Sequence, residues 1–445
     1  MWAALFRYAQ LSWRPVLAVL LFLLLPLSAS TTWPARLPSA PDATPIVVAL
    51  PDVATDVWES RGHVVHLEPY ADPPLEDSDS VLGQAWRAVY TSVSGVDGGR
   101  REVSGAFFVP RGTPPESGWP LISLAHGTTG IGNNCGPSRQ ADLMGYAPMV
   151  QSFLADKYAV ALTDYEGLGE SGSHPYLEPR TAAFNTIDAA RAMRDISATV
   201  SARWVAVGYS QGGQAVWAAN ELDSYYGNDL QLQGSVALAP AVNLTGVADL
   251  VSSGSLTDDQ RARFPLGLIG FARYTPDLDA DSFLHGSAEL FRTLLSRCDP
   301  PEFQEPFVPQ FGPPIPWRTV AVRLRDANDV KPSTPQDVTT LRDALRRVAL
   351  PQRPLEKPML VINGEHDTQV LPDWIRSAVS RSCALGGRIE YLQIPDTGHD
   401  DLVPKAADTV ARWTADRFAG APPPSNCPAG SISPIGPPPA TPTAR

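Results

Sequence analysis

The stretch Gly208-Tyr209-Ser210-Gln211-Gly212 has the residue types and spacing for nucleophilic chemistry. A serine hydroxyl is a weak nucleophile. It needs a base within hydrogen-bond reach and a third group to orient that base. Trp204 to Val207 reads as a buried strand, and Gln214 to Leu222 reads as a helix. Between them, two residues without Cβ let strand and helix crowd past the serine in a sharp, strained turn. The free N–H groups at the start of that helix, and the positive end of its dipole, then face the site.

Where a serine sits on such a strand–turn–helix, an acid and then a histidine follow it in chain order. The sequence has 7 His. Among those beyond Ser210, His366 and His399 fall where a strand ends. His399, in Ile394-Pro-Asp-Thr-Gly-His-Asp400, hangs on the loop after the last apolar run and is the expected base. Asp367, after Met359-Leu-Val-Ile-Asn-Gly-Glu-His, is the expected acid, with Glu365 and Asp373 as rivals and His366 as a structural residue. Two N–H donors are needed for a developing oxyanion. Gln211 supplies one. The glycine-rich loop Ala125-His-Gly-Thr-Thr-Gly130 supplies the other, from Thr128 or alternatively Thr129. His126 reads as a structural hydrogen-bonder, and Asp164 and Glu166 belong to a loop framing the pocket mouth.

Elements must exist to bring these residues together. Ala85–Val93 and Val103–Val109 read as a hairpin around Asp97-Gly-Gly99. Strands are expected at Pro120–Ala125, Tyr158–Thr163, Trp204–Tyr209, Ser235–Ala239, Pro358–Ile362 and Ile389–Ile394. Helices are expected at Met144–Lys157 and Thr181–Thr199. This alternation implies an α/β chain with a mostly parallel central sheet and helices on both faces. Residues 241–350 carry helices and no clear strand: Thr257-Asp-Asp-Gln260 is a capping box, Ser287–Arg297 is amphipathic, and Thr334-Pro335 starts a helix running to about Leu350. They read as an inserted helical cap between the first core segment, 84–240, and the second, 351–420. Residues 31–83 are an N-terminal extension, mostly irregular from Asp56 to Pro74, and 421–445 form a Pro-rich tail.

With 445 residues the chain can bury a large core. Its net charge of -12 and lack of a Lys/Arg cluster argue against nucleic acid as a partner. Residues 1–30 have Arg7 and Arg14, the apolar run Val16–Leu27 and small residues at Ser28-Ala-Ser30. This is the pattern of an export signal, and the run is short for a membrane span. The 4 Cys (135, 298, 383 and 427) fit disulfides in an exported chain, and no Cys-x-x-Cys spacing suggests zinc. The sequence leaves three pairings open.

Ala-His-Gly-Thr-Thr-Gly, Asp-Tyr-Glu-Gly-Leu-Gly, Gly-Tyr-Ser-Gln-Gly-Gly, Gly-Glu-His-Asp and Thr-Gly-His occur in that order. Together they resemble the secretory lipase family of fungi and actinobacteria, over roughly residues 50–430. The resemblance implies an α/β-hydrolase with a helical lid. It also implies a secreted triacylglycerol lipase or carboxylesterase that needs no metal or other cofactor and acts on ester or lipid substrates. It makes Ser210 the nucleophile, Asp367 the acid and His399 the base. Its two disulfides correspond to Cys135–Cys298 and Cys383–Cys427. Transient contact with a lipid interface fits this reading. Its rivals are acyl transfer to an alcohol on the same three residues, and a non-catalytic envelope binding protein on a hydrolase fold. Oligomeric state is not legible.

Overall fold

Short runs of β-branched and small apolar residues, buried at every position in Ala159–Thr163 and Met359–Gly364, are what strands need when both faces are covered. The computed structural model describes residues 44–75, 78–290, 292, 298 and 326–428. It places nine strands in one sheet: β1 (Val64–Pro69), β2 (Leu82–Val93), β3 (Arg100–Pro110), β4 (Trp119–Ala125), β5 (Ala159–Thr163), β6 (Val200–Tyr209), β7 (Gln231–Leu238), β8 (Met359–Gly364) and β9 (Ile389–Ile394). Their order is β1-β2-β3-β5-β4-β6-β7-β8-β9. The pairs from β1 to β3, and β3 with β5, are antiparallel; all others are parallel. Since β4 has β5 on one side and β6 on the other, the order reverses there. The loops leaving β4 and β6 therefore open a crevice at the carboxyl edge.

The connecting helices are α1 (Ala147–Ala155), α2 (Pro179–Ile196), α3 (Gln211–Glu221), α4 (Val247–Ser253), α5 (Asp258–Ala272), α6 (Pro335–Val348), α7 (Pro372–Ala384) and α8 (Leu402–Phe418). Two apolar clusters hold them to the sheet. On one face Phe153 and Leu154 of α1, with Ala406 and Trp413 of α8, pack on Val205, Val207 and Leu360. On the other, α2, α3 and α7 pack on Trp204, Ala206 and Val361, and α4, α5 and α6 join the same cluster. The expected capping box of Thr257 with Gln260 is formed, and the helix expected to start at Thr334-Pro335 opens on a second box, Thr334 with Asp337.

The expected strands and the hairpin are present, with ends shifted by a few residues. One stretch expected to be irregular is not. Val64–Pro69 adds an antiparallel strand at the sheet edge, and Thr55–Glu59 is a short helix. An edge strand exposed along most of its length has no apolar alternation to betray it. Helix α3 begins at Gln211, earlier than its apolar pattern suggests, because Gly212 and Gly213 blur the signal. Asn243 and Thr245 are buried, and Asn243 Oδ1 accepts the Thr245 hydroxyl at 2.7 Å. The signal segment, most of the amphipathic stretch beyond Leu290 and the end of the tail lie outside the described residues. No helix among the described residues is long and apolar enough to cross a membrane.

Disulfides join Cys135 to Cys298 and Cys383 to Cys427. The second anchors the start of the tail, where Asn426 also pairs with Tyr391 through its side chain and donates its own N–H to Ile389 O. A bridge across 44 residues lowers the entropy of the unfolded chain. Replacing both Cys383 and Cys427 with Ser is expected to lower stability by up to about 4 kcal/mol, read as an earlier urea midpoint.

Candidate active site

Ser210 is the hinge between β6 and α3. It is held at φ 57 and ψ -113, a conformation that side-chain-bearing residues rarely adopt. Close packing fixes it. A Cβ on Gly208 would lie 2.1 Å from Gly212 O, and one on Gly212 would lie 1.9 Å from Ala125 O. Only residues without side chains let β4, β6 and α3 meet this closely. Ser210 N–H donates to Leu238 O at 2.8 Å, which ties the turn to β7.

Two further carboxyl-edge loops bring in the other groups. His399, on the loop after β9, places Nε2 3.0 Å from Ser210 Oγ. Its Nδ1 faces Asp367 Oδ2 at 2.7 Å. Facing a carboxylate, Nδ1 carries the proton and Nε2 is left bare toward the hydroxyl. Asp367, on the loop after β8, is held in turn: Oδ1 accepts the N–H groups of Gln369 and Val370, both at 2.9 Å. Asp367 and His399 are buried. The rivals are elsewhere. Asp373 pairs with Arg376 at the surface, and Glu365 is exposed, facing Asp396 N–H. His366 is exposed too; its backbone N–H donates to Thr397 O and so ties the Asp367 loop to the His399 loop. Gly364 lets these loops cross, since a Cβ there would lie 2.3 Å from Thr397 O.

On the side of α3, the Gln211 amide Nε2–H donates to His174 Nε2 at 3.0 Å. His174 Nδ1–H donates to Glu166 O at 2.8 Å. This makes His174 a neutral acceptor, and its burial pushes it down to about 3. The Thr128 hydroxyl meets Tyr176 OH at 2.8 Å, and both residues line the cavity. The N–H of Gly127, one residue earlier, is taken by Tyr146 OH. His126 is fully buried between Gly127 O and Asp164 O, as expected of a structural residue. Asp164 is buried, accepting from Ser104 and Ser138, and Glu166 pairs with Arg101. Neither Asp164 nor Glu166 lines the cavity. The link from His174 to Gln211 has no signature in the sequence. The two residues are 37 positions apart, and no spacing rule joins them.

Ser210 and His399 open into a cavity of about 820 Å³, walled largely by apolar side chains. Leu256, Phe264, Leu268 and Phe271 of the α5 region and Leu341 and Leu345 of α6 form part of the wall. Cys135–Cys298 joins the loop after β4 to the same excursion.

A mostly parallel sheet with a serine on the strand–helix turn after β6, and with Asp367 and His399 on the loops after β8 and β9, defines an α/β-hydrolase. Residues 138–295 match the family model described as Secretory lipase, the family the sequence blocks resemble. A probable inactive lipase of Mycobacterium tuberculosis is 27% identical over 328 residues, covering 71% of this chain and 69% of the relative. Candida antarctica lipase A in its closed state has the same fold, with TM-score 0.63 at 15% identity over 85% of this chain and 89% of that one. So does a rice cell wall degrading esterase, LipA of Xanthomonas oryzae, with TM-score 0.62 at 17% identity over 81% and 98%.

The depressed His174 gives a pH signature. The unfolded chain takes a proton on this ring near 6.5 and the folded chain only near 3. Its contribution to stability is therefore full above 6.5 and is lost as pH falls toward 3. His174→Gln keeps an acceptor for Gln211 but cannot titrate. Its stability, measured by denaturant unfolding, is expected to fall less steeply than the wild type across that window.

Proposed function

We propose that the protein is an exported serine hydrolase that cleaves carboxylic esters of lipid character through an acyl-enzyme. The observation that carries this reading is the unbroken line Ser210 Oγ, His399 Nε2, His399 Nδ1, Asp367 Oδ2, with Ser210 and His399 lining a large apolar cavity. His399 takes the hydroxyl proton as Ser210 attacks the ester carbonyl. Asp367 holds the imidazole in the required tautomer and stabilises its charge. The N–H groups of Gln211 and Thr128 receive the oxyanion, aided by the amino end of α3. The acyl carbon–alkoxy bond breaks, and His399 passes the proton to the leaving alcohol. Water, deprotonated by His399, then releases the acid and restores Ser210.

In this reading 241–350 is the cap over the acyl site, and residues 1–30 are the export signal. Two disulfides and the family match support export. A second reading, a hydrolase fold that binds without catalysis, is favoured by one observation: the mycobacterial relative is described as probably inactive. The positioned hydroxyl, imidazole and carboxylate favour the first.

Measured on short-chain esters, Ser210→Ala is expected to lower kcat by about a million-fold and Asp367→Asn by about ten-thousand-fold, with little change in KM. Turnover of the wild type no faster than that of Ser210→Ala would establish the second reading instead.

A further inference from the structure

The cavity extends beyond the part walled by α5 and α6. It continues onto the opposite face of the sheet, between α1 and α8, where Met149, Phe153, Val403, Ala407, Val410 and Ala411 line it. Met149, Phe153, Val403 and Val410 belong to or pack on one apolar cluster and the α5 and α6 residues belong to the other, so the cavity bridges both faces at the level of Ser210. The α1/α8 part is an open groove: Ala407 is exposed, and Met149, Val403 and Ala411 are half-buried. On α8, Lys405, Asp408 and Arg412 are all exposed and none lines the groove. The apolar strip is thus a separate face of the helix. Ala407 and Ala411, one turn apart, keep the groove from being filled by the protein itself. From Val403 to Ala411 it runs about 12 Å.

We propose that this groove binds an aliphatic chain on the alcohol side of the ester, so that the preferred substrates carry apolar chains on both sides of the carboxyl group. The inference rests on the hydrolase reading and adds the substrate class. Its warrant is where atoms must lie when the bond breaks. The alkoxy oxygen receives the proton that His399 took from Ser210, so it must sit within hydrogen-bond reach of His399 Nε2. The carbonyl oxygen turns instead toward Gln211 and Thr128. His399 lies three residues before α8 begins, and Val403 in the first turn of α8 continues the wall from the imidazole. A chain leaving the alkoxy oxygen therefore enters the α1/α8 groove, and the acyl chain is left the part under α5 and α6. Apart from Ser152, the α1 and α8 residues that line the groove are apolar, and the one carboxylate of the lining, Asp400, precedes α8 next to His399, so the groove itself suits methylenes rather than a sugar or a headgroup.

The test compares kcat/KM for methyl butyrate, octyl butyrate and methyl laurate, each kept below the concentration at which it forms a separate phase. The variants are Ala407→Trp, in the groove, and Gly267→Phe, in α5. A Cβ at Gly267 meets only Tyr176, at 3.6 Å, so a side chain fits there and would project toward the acyl part. The wild type is expected to prefer octyl over methyl butyrate by about tenfold or more, and Ala407→Trp to remove that preference. Gly267→Phe is expected to lower the laurate-to-butyrate ratio instead. Should Ala407→Trp fail to fold, Ala411→Leu makes the same test. A mixed glyceride with one butyryl and two octanoyl chains distinguishes a chain on a fatty alcohol from one borne on glycerol. Selectivity in either arm that the groove variant abolishes supports the proposal. Equal rates on methyl and octyl butyrate together with no groove-dependent preference in the glyceride arm, or a groove variant that loses laurate selectivity, would overturn it while leaving the hydrolase reading intact. Hydrolysis of none of these esters would overturn both.

Discussion

Everything at the site depends on the contact of two glycines with backbone. Gly208 and Gly212 bring β6, α3 and the end of β4 closer together than any side chain permits. That contact forces Ser210 into its left-handed conformation and lifts the hydroxyl out of the sheet edge. A residue so placed costs on the order of 1–3 kcal/mol, which the surrounding packing must offset. The same closeness sets Ala125 and His126, at the start of the loop that carries Thr128, against Gly212 in the first turn of α3. One steric constraint thus sets the hydroxyl relative to the start of α3 and to the root of the loop after β4.

The partners are set by a second crossing with the same logic. At the end of β8, Gly364 allows the loop after β9 to pass directly over it. The His366 N–H to Thr397 O bond then locks the two loops together. Asp367 and His399 are 32 residues apart in the chain, but their separation at the site follows from this crossing. Asp367 is further fixed by two backbone N–H groups, so its free oxygen has one direction to point. On the far side, His174 holds the Gln211 side chain through a ring that stays neutral because it is buried. Each group that the proposed reaction uses therefore has a second set of contacts holding it in place.

How much of this could be read from the residues varies with how local the cause is. The parallel strands announce themselves because both faces are buried, and the helix starts at Thr257 and Thr334 because a cap is a matter of four consecutive residues. Ser210 and His399 stood out because glycine spacing and chain order are local signals too. Asp367 against Glu365 and Asp373 was a question of register, and the loop crossing at Gly364 answers where each carboxylate lies. Edge strand β1 escaped because exposure removes its pattern. The cysteine pairs came from the family resemblance, since their spacing permits three arrangements. The contacts of His174, Tyr146 and Tyr176 with the serine side of the site depend on tertiary placement that no spacing encodes.

In the proposed reaction, packing and a relayed hydrogen bond make one ordinary alcohol reactive. The most direct measurement is covalent trapping with a fluorophosphonate, with the modified peptide identified by mass spectrometry. A single phosphonyl adduct on Ser210, whose formation slows by several orders of magnitude in His399→Ala, is the expected result. No adduct, an adduct on another residue, or labelling that proceeds equally fast without the imidazole would contradict it.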